Sequence, residues 1–184
     1  MLLAVEIVFW ASLAALVWTH AAYPAFAAAL ARVASRPVRA ADIEPGVTVI
    51  VAAYNEEAVI ARRIENLIAL DYPKEKVRIV VSSDASSDRT EEIARAYPGV
   101  LVISNPRGGK VAAQDSAVRR TDSEIVAFTD GNATWAPDAL RRLVRPFADP
   151  AVAYVCGQLK ILAADGSNKE GVYWRYEMGV RAAE

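Results

Sequence analysis

The sequence predicts an α/β protein with an open, mostly parallel sheet, and two observations carry that prediction. Between residues 47 and 161, short apolar runs rich in β-branched residues alternate with segments whose apolar residues recur at helical spacing. Short polar loops separate the two kinds of segment. This alternation is typical of right-handed βαβ units, in which helices flank a Rossmann-like sheet.

An apolar leader, residues 1–31, precedes the alternating region, and its ionisable side chains are Glu6 and His20. A bilayer core requires about 20 helical residues, so the leader is long enough for one transmembrane helix, with a bend expected at Pro24. A cleaved signal peptide would have a basic start and a shorter apolar core. A buried core helix would rarely be apolar for so long.

Arginines follow the leader, and neither Lys nor Arg precedes it. The positive-inside rule therefore predicts a cell-membrane protein whose following domain faces the cytosol. Residues 32–46 contain prolines and a glycine and predict a juxtamembrane linker. Residues 47–184 then form the main domain. Its last segment, 173–184, is helix-like without a stop signal, so we expect the domain to continue beyond Glu184.

The elements of the main domain follow in order. Val47–Ala53 is a continuous β-branched run, as expected of a parallel strand buried on both faces. A helix from Glu56 to Leu70 follows, with Asn55 as its candidate N-cap. The later predictions are a strand at 77–81, a helix capped by Asp88, a strand at 100–103, a helix at 110–120, a strand at 124–129, a helix at 137–147, and a fifth strand or strand pair at 151–161.

Composition excludes several classes of function. Lys and Arg total 21 against 22 Asp and Glu, for a net charge of −1, which excludes the strongly basic face of a nucleic-acid-binding protein. Cys156 is the only cysteine, so there is no internal disulfide. The only histidine, His20, lies in the apolar leader. Acid–base chemistry in the main domain must therefore come from carboxylates, lysine or tyrosine.

The strand at 124–129 ends abruptly in Asp130-Gly131-Asn132. Asp130 and Asn132 lie two positions apart, so both side chains can face the same way, and Gly131 lets the backbone turn between them. Two hard oxygen ligands suit Mg²⁺ or Mn²⁺, with phosphate and water completing the shell. An ordinary Asp-Gly turn is the simpler alternative.

Ligands of such sheets bind outside the carboxyl ends of the strands. The polar loops at these ends are residues 54–57, 82–88, 105–110 and 130–132. Lys110, at a helix start behind Gly108-Gly109, could neutralise phosphate together with helix-terminal amides. Asp84 could accept a hydrogen bond from an imide-like N–H of a base. Taken alone, Gly108-Gly109 indicates only a tight turn, because it matches neither the P-loop motif GxxxxGK[ST] nor the dinucleotide-binding motif GxGxxG.

With these motifs the chain resembles the family 2 glycosyltransferases, inverting enzymes of GT-A fold that include cellulose and hyaluronan synthases. The likeness covers about residues 47–160 in order and spacing. The matching segments are 47–57, Leu70-Asp71-Tyr72-Pro73, 80–84 with 86–90, Gly108-Gly109-Lys110, 128–132 and 136–140.

The resemblance implies a hexosyltransferase that moves a sugar from a nucleotide-diphospho-sugar, UDP-linked, to a saccharide or lipid-linked hydroxyl with inversion. Its implied cofactor is Mg²⁺ or Mn²⁺. The implied donor-binding residues are Tyr54, Glu56, Asp84, which would contact the base, Lys110 and Asp130. Asp130 and Asn132 occupy the position of the family's DxD metal motif.

Two departures from the family pattern stand out. Asn132 replaces the second acid of DxD and brings no charge, which predicts a lower metal affinity. The catalytic base has no counterpart before Glu184, so we expect it beyond that residue and expect this segment alone to be inactive. Two alternatives stay open: a membrane-tethered module that binds nucleotide-sugar without turnover, and a sugar-nucleotide nucleotidyltransferase. The latter would need a glycine-rich loop after the first strand, where this chain has residues 54–57.

Overall fold

The computed structural model describes residues 2–34, 36–158, 160 and 171–181. The chain divides into two compact units, one formed by residues 38–156 and the other by residues 1–37 together with 157–184.

The larger unit contains the predicted parallel sheet. Its strands are β1 (Val47–Ala53), β2 (Val77–Asp84), β3 (Val100–Asn105) and β4 (Ile125–Asp130). They lie in the order β3-β2-β1-β4, and all three pairings are parallel. The predicted α/β fold class is therefore confirmed.

Strand β1 lies between two neighbours and is buried along nearly its whole length. Its β-branched run is suited to that place, because a parallel strand with neighbours on both edges is covered on both faces. Thr48 is the polar exception. Its buried hydroxyl is 2.6 Å from the hydroxyls of both Thr121 and Ser123, which satisfies its hydrogen-bonding capacity.

Helices cover both faces of the sheet. They are α3 (Ile60–Ile68), α4 (Thr90–Arg95), α5 (Lys110–Val118) and α6 (Ala139–Val144), with 3₁₀ turns at Lys74–Lys76 and Arg145–Ala148. Ile60, Ile64 and Leu67 of α3 form an apolar stripe in the main core. On the other face, a smaller core contains Ile50, Val80, Ile103 and Ala117.

The observed elements differ from the predicted ones mainly at their ends. Helix α3 begins at Ile60 rather than Glu56, because residues 54–59 form a loop that is hydrogen-bonded to Thr90 at the start of α4. Strands β2 and β3 continue into polar residues, and Asp84 pairs in register with Asn105. Helix α6 covers only the middle of the predicted segment, whose end is a 3₁₀ turn.

The predicted fifth strand is wrong for residues 151–158 and 160, which form no strand. Asp149 turns the chain here, since its carboxylate accepts the Ala151 N–H at 3.0 Å. Leu159 and residue 161 lie outside the described residues. The predicted helix at the end of the chain appears as α7 (Val172–Arg181), and residues 182–184 also lie outside.

Residues 38–46, part of the predicted juxtamembrane linker, belong to the larger unit and contact its later residues. Glu44 forms an ion pair with Arg141 at 2.7 Å. The Tyr72 hydroxyl donates a hydrogen bond to the Pro45 carbonyl at 2.8 Å. The part of this linker that directly precedes β1 is therefore packed against the domain rather than extended freely.

The smaller unit contains the apolar leader. Helix α1 (Leu2–Val17), a π-helical turn (Trp18–Ala22) and α2 (Tyr23–Ala34) run on without a break. Within the described residues, this 33-residue helix is the one long and apolar enough to cross a membrane. Pro24 lacks the N–H that would donate to the His20 carbonyl four residues earlier in the helix. The Tyr176 hydroxyl of α7 donates a hydrogen bond to that carbonyl instead, at 2.7 Å.

Candidate functional site

The sheet register brings the polar loops to one edge. Ala53 of β1 pairs with Ser83 of β2, so the residues that follow them, Tyr54 and Asp84, lie at the same level of the sheet. Asp130 pairs with Ala52 on the other side of β1. The carboxyl ends of parallel strands meet at such an edge, which is where open α/β sheets bind ligands.

Asp84 is at the centre of this edge and is 3% exposed. Its Oδ1 accepts the Gly108 N–H at 2.7 Å, and the Gly109 N–H lies 3.0 Å from both carboxylate oxygens. Arg107 Nη1 forms an ion pair with Oδ2 at 2.9 Å. The carboxylate predicted to contact a base is thus engaged by the loop that follows β3.

Arg107 is a site residue that sequence reasoning missed. Its guanidinium carbon lies 3.4 Å from the centroid of the Tyr54 ring, a cation–π stack. The same guanidinium contacts Asp84, so it joins the loops that follow β1, β2 and β3. The available signal was its place directly before Gly108-Gly109, in a loop already predicted to lie at the site.

The loops after β1 and β2 are joined by hydrogen bonds to the backbone. Asn55, at a φ of 53°, accepts the Ser87 N–H at 2.8 Å. The Glu56 N–H donates to Thr90 Oγ1 at 2.8 Å. Asn55 is therefore not the N-cap of α3: its side chain instead binds the backbone of a second loop.

Asp88 also links these two loops. It accepts the Glu57 N–H and the Thr90 N–H, each at 3.0 Å, and the Thr90 hydroxyl. It precedes α4 as predicted, but the residue directly before that helix is Arg89. Burial alone would raise the pKa of Asp88, and the hydrogen bonds from Thr90 and Glu57 outweigh it, so the pKa lies below its usual 3.8.

Lys110 and Asp130 form an ion pair across the site, between the start of α5 and the end of β4. Both side chains are 57% exposed. The preceding Gly109 has a φ of +86°, a conformation that suits glycine, and it directs the chain into α5. Lys110 thus stands beside the predicted metal ligand, with its charge available to an anion at this edge.

The turn Asp130-Gly131-Asn132 presents two oxygen-bearing side chains to solvent. Gly131 is buried, and a Cβ there would lie 3.4 Å from the Glu56 side chain. Glu56 therefore packs against the turn, while Asn132 is exposed. The structure brings Glu56, Lys110 and the turn together, and it groups Tyr54 with Asp84 and Arg107.

The side chains of this turn fit a divalent cation by their chemistry. Carboxylate and amide oxygens suit Mg²⁺ or Mn²⁺. No group of three or more His, Cys, Asp or Glu side chains able to hold a metal occurs in the described part of the chain. Asp130 and Asn132 would hold the ion together with ligands from phosphate and water.

Beneath the turn is a second residue that sequence reasoning missed, Arg63 of α3. It is 1% exposed, and its Nη2 donates to Thr129 Oγ1 at 2.6 Å. The signal was its spacing: it lies three residues after Ile60 and four before Leu67, on the buried stripe of the helix. Charged side chains are rarely buried, so this spacing is easily overlooked.

Comparison with known proteins gives consistent matches. Residues 48–179 match the family described as glycosyl transferase family 2. A β-monoglucosyldiacylglycerol synthase of Synechocystis is 33% identical over 146 residues, which cover 76% of this chain and 29% of that protein. The glycosyltransferase AglE of Haloferax volcanii is 30% identical, covering 66% of this chain and 42% of that protein. The chain thus spans about a third of the length of such relatives.

Solved structures agree with the fold. The mannosyltransferase PcManGT from Pyrobaculum calidifontis, in complex with GDP-Man and Mn²⁺, has a TM-score of 0.65 and 35% identity, covering 75% of this chain and 44% of that one. TarS of S. aureus in complex with UDP has a TM-score of 0.50 and 26% identity, covering 54% and 30%. The larger unit has the GT-A-like architecture of these enzymes, and the chain belongs to glycosyl transferase family 2.

Proposed function

We propose that this chain is the donor-binding part of a membrane-anchored hexosyltransferase that takes a sugar from a nucleotide-diphospho-sugar. The observation that carries the proposal is the convergence of Arg107, Lys110 and Asp130 on one sheet edge. Lys110 can bind an anionic diphosphate, Asp130 can hold its counter-ion, and Arg107 lies with Tyr54 and Asp84 where a base can bind. Family membership and the nucleotide complexes of PcManGT and TarS support the same reading.

Two groups of residues bind different parts of the donor in this proposal. Tyr54, Asp84 and Arg107 form the base side, where an aromatic ring and hydrogen-bonding groups are close together. Lys110, Glu56, Asp130 and Asn132 form the phosphate side. Either uracil or guanine is a candidate base, since one similar structure contains UDP and another GDP-Man.

Bound Mg²⁺ or Mn²⁺ would supply Lewis acidity that stabilises the leaving diphosphate. This chain's own residues bind and orient the donor: Lys110 offsets phosphate charge, and Asp130 and Asn132 hold the ion. Transfer to an acceptor hydroxyl with inversion requires a general base. We assign that role to none of the described residues.

A lipid-borne hydroxyl is the acceptor class that best fits the chain. The Synechocystis relative is named for a glucosylated diacylglycerol, and the apolar helix Leu2–Ala34 would keep the domain at a bilayer surface. A membrane-bound saccharide is the second acceptor class. By the positive-inside rule, the arginines that follow the apolar leader support a domain that faces the cytosol.

The test uses the full chain in nanodiscs and calorimetric titration with UDP and with GDP, each with Mn²⁺ and with EDTA. We expect at least one nucleotide to bind more tightly with Mn²⁺. Asp130→Ala should abolish that metal-dependent gain, because it removes the charged ligand. Asp122→Ala is the matched control, since Asp122 is an exposed acid paired with Arg78.

The control variant should bind like the wild type. Failure of the wild type to bind either nucleotide would contradict donor binding. Binding that is indifferent to both Mn²⁺ and Asp130→Ala would contradict the metal role and leave a nucleotide-binding module in its place.

A further inference from the structure

Helix α3 carries a buried positive charge directly behind the Asp130 turn. Arg63 is among the largest fully buried side chains of the chain, at 1% exposed. It shares the helix face with Ile60 and Leu67, which pack in the main core. Arginine is almost never fully buried unless its charge is paired, so its place here requires an explanation.

The guanidinium contacts both ends of the segment that carries the proposed metal ligands. At the first end, Nη2 donates to Thr129 Oγ1 at 2.6 Å, one residue before Asp130. At the other end, Cζ lies 5.0 Å from the centroid of the Trp135 ring. One side chain therefore fixes the segment from β4 to Trp135.

Asn66, one turn further along α3, completes the attachment. Its Oδ1 accepts Arg63 Nη1 at 2.6 Å and the Trp135 N–H at 2.9 Å, and its Nδ2 donates to the Trp135 carbonyl at 2.9 Å. The side-chain amide thus satisfies both backbone groups of Trp135. Segment 129–135 is held at its two ends by two residues of one helix.

A purely structural role leaves the charge of Arg63 unexplained. It forms no ion pair within the described part of the chain, and its Nε is buried without a hydrogen-bond partner. Burial lowers the pKa of Arg63 to about 10, and the negative charge of Asp130 opposes that shift. An apolar side chain would fill such a space at a lower desolvation cost. Asp130, the acid whose charge acts on Arg63, is also the residue that would ligate the metal.

We infer that Arg63 and Asn66 are positioning residues that fix the Asp130–Asn132 turn for a divalent cation, an inference that rests on the proposed function. Partners behind metal ligands orient those ligands, and their loss typically weakens metal binding about 10- to 100-fold. The planar guanidinium can donate to Thr129 and Asn66 at once. A lysine would keep the positive charge but lacks the two guanidinium nitrogens that donate in fixed directions.

The experiment measures the metal-dependent gain in nucleotide binding, which is the ratio of the Kd in EDTA to the Kd in Mn²⁺. UDP and GDP are titrated into the full chain in nanodiscs. We expect Arg63→Lys and Asn66→Ala each to reduce this ratio about tenfold, while the Kd in EDTA stays near the wild-type value. Arg62→Lys, at the exposed neighbouring position of the same helix, should change neither quantity.

A double mutant separates positioning from general loosening. If Arg63 and Asn66 act together on the turn, the Arg63→Lys/Asn66→Ala double variant should lower the ratio by less than the product of the two single losses, whereas independent loosening would multiply them. Asn66→Ala changes a half-exposed residue, and it provides the same measurement if Arg63→Lys does not fold.

The outcomes distinguish this inference from the proposed function. An unchanged ratio in Arg63→Lys and Asn66→Ala, with metal-dependent binding in the wild type, overturns the positioning role and leaves the function standing. Equal weakening of the Kd in EDTA and in Mn²⁺ also overturns it, because that pattern reports general destabilisation. A wild type without metal-dependent binding contradicts both.

Discussion

The two sides of the candidate site are built differently. On the base side, Asp84 is buried and receives two backbone N–H groups and a guanidinium. On the phosphate side, the Lys110–Asp130 pair is more than half exposed, and Asn132 faces solvent. The base side is thus held by internal contacts, whereas the phosphate side leaves its ligating groups accessible.

The difference shows how one sheet edge can have both rigid loops and groups that are free to bind a ligand. A ligand on the phosphate side has to displace only an exposed ion pair, and such pairs contribute little to stability. On the base side, a ligand that approaches Asp84 must compete with hydrogen bonds that shape the loops themselves. Substitutions on the base side should therefore affect stability, and those on the phosphate side should affect binding.

The largest stability effect should come from Asp84→Ala. The substitution leaves the Gly108 and Gly109 N–H groups and the Arg107 guanidinium without their acceptor, which costs about 3 kcal/mol. Asp130→Ala should cost less than about 1 kcal/mol, because its ion-pair partner Lys110 is exposed and Arg63 keeps its hydrogen bonds to Thr129 and Asn66. Denaturant unfolding of both variants checks the comparison. Equal losses would show that the two sides do not differ.

A pair of glycines gives the next test. Gly109→Ala forces a side chain into a φ of +86° and should destabilise the protein by about 1–3 kcal/mol. Gly131→Ala should cost less than about 1 kcal/mol, since the added Cβ meets only the Glu56 side chain, at 3.4 Å. The unfolding free energies of the two variants provide the measurement. A larger loss for Gly131→Ala would place the strained turn on the phosphate side.

The smallest effect concerns pH. The folded state lowers the pKa of Asp88, so its contribution is present above the usual value of 3.8 and is lost as the pH falls through the lower folded value. Asp88→Asn should cost about 1 kcal/mol at pH 7, and the difference from the wild type should shrink below pH 4. Unfolding measured from pH 7 to pH 2 tests this. A difference independent of pH would exclude the ionised form as its source.

Much of the fold follows from local patterns. Strand β1 is predicted to the residue because a continuous β-branched run suits a strand covered on both faces. The ends of β2 and β3 are missed because polar residues such as Asp84 and Asn105 enter the sheet through pairing with each other. No local propensity indicates such pairing between strands.

The site is predictable in its location but less so in its contacts. The loops after each strand point to Asp84, Lys110 and Asp130, since parallel strands end at one edge. Asn55 looks like a helix cap because its partner, the Ser87 N–H, is remote in sequence. Arg63 looks like a surface residue because charge normally indicates exposure.

The central place of β1 has a consequence for synthesis of the chain. Its neighbours are β2, which follows closely, and β4, which begins only at Ile125. On the ribosome, one edge of Val47–Ala53 therefore stays unpaired until more than seventy further residues have been made. An open edge of apolar strand is a template for aggregation. The nascent chain is thus most exposed to misassociation before β4 emerges.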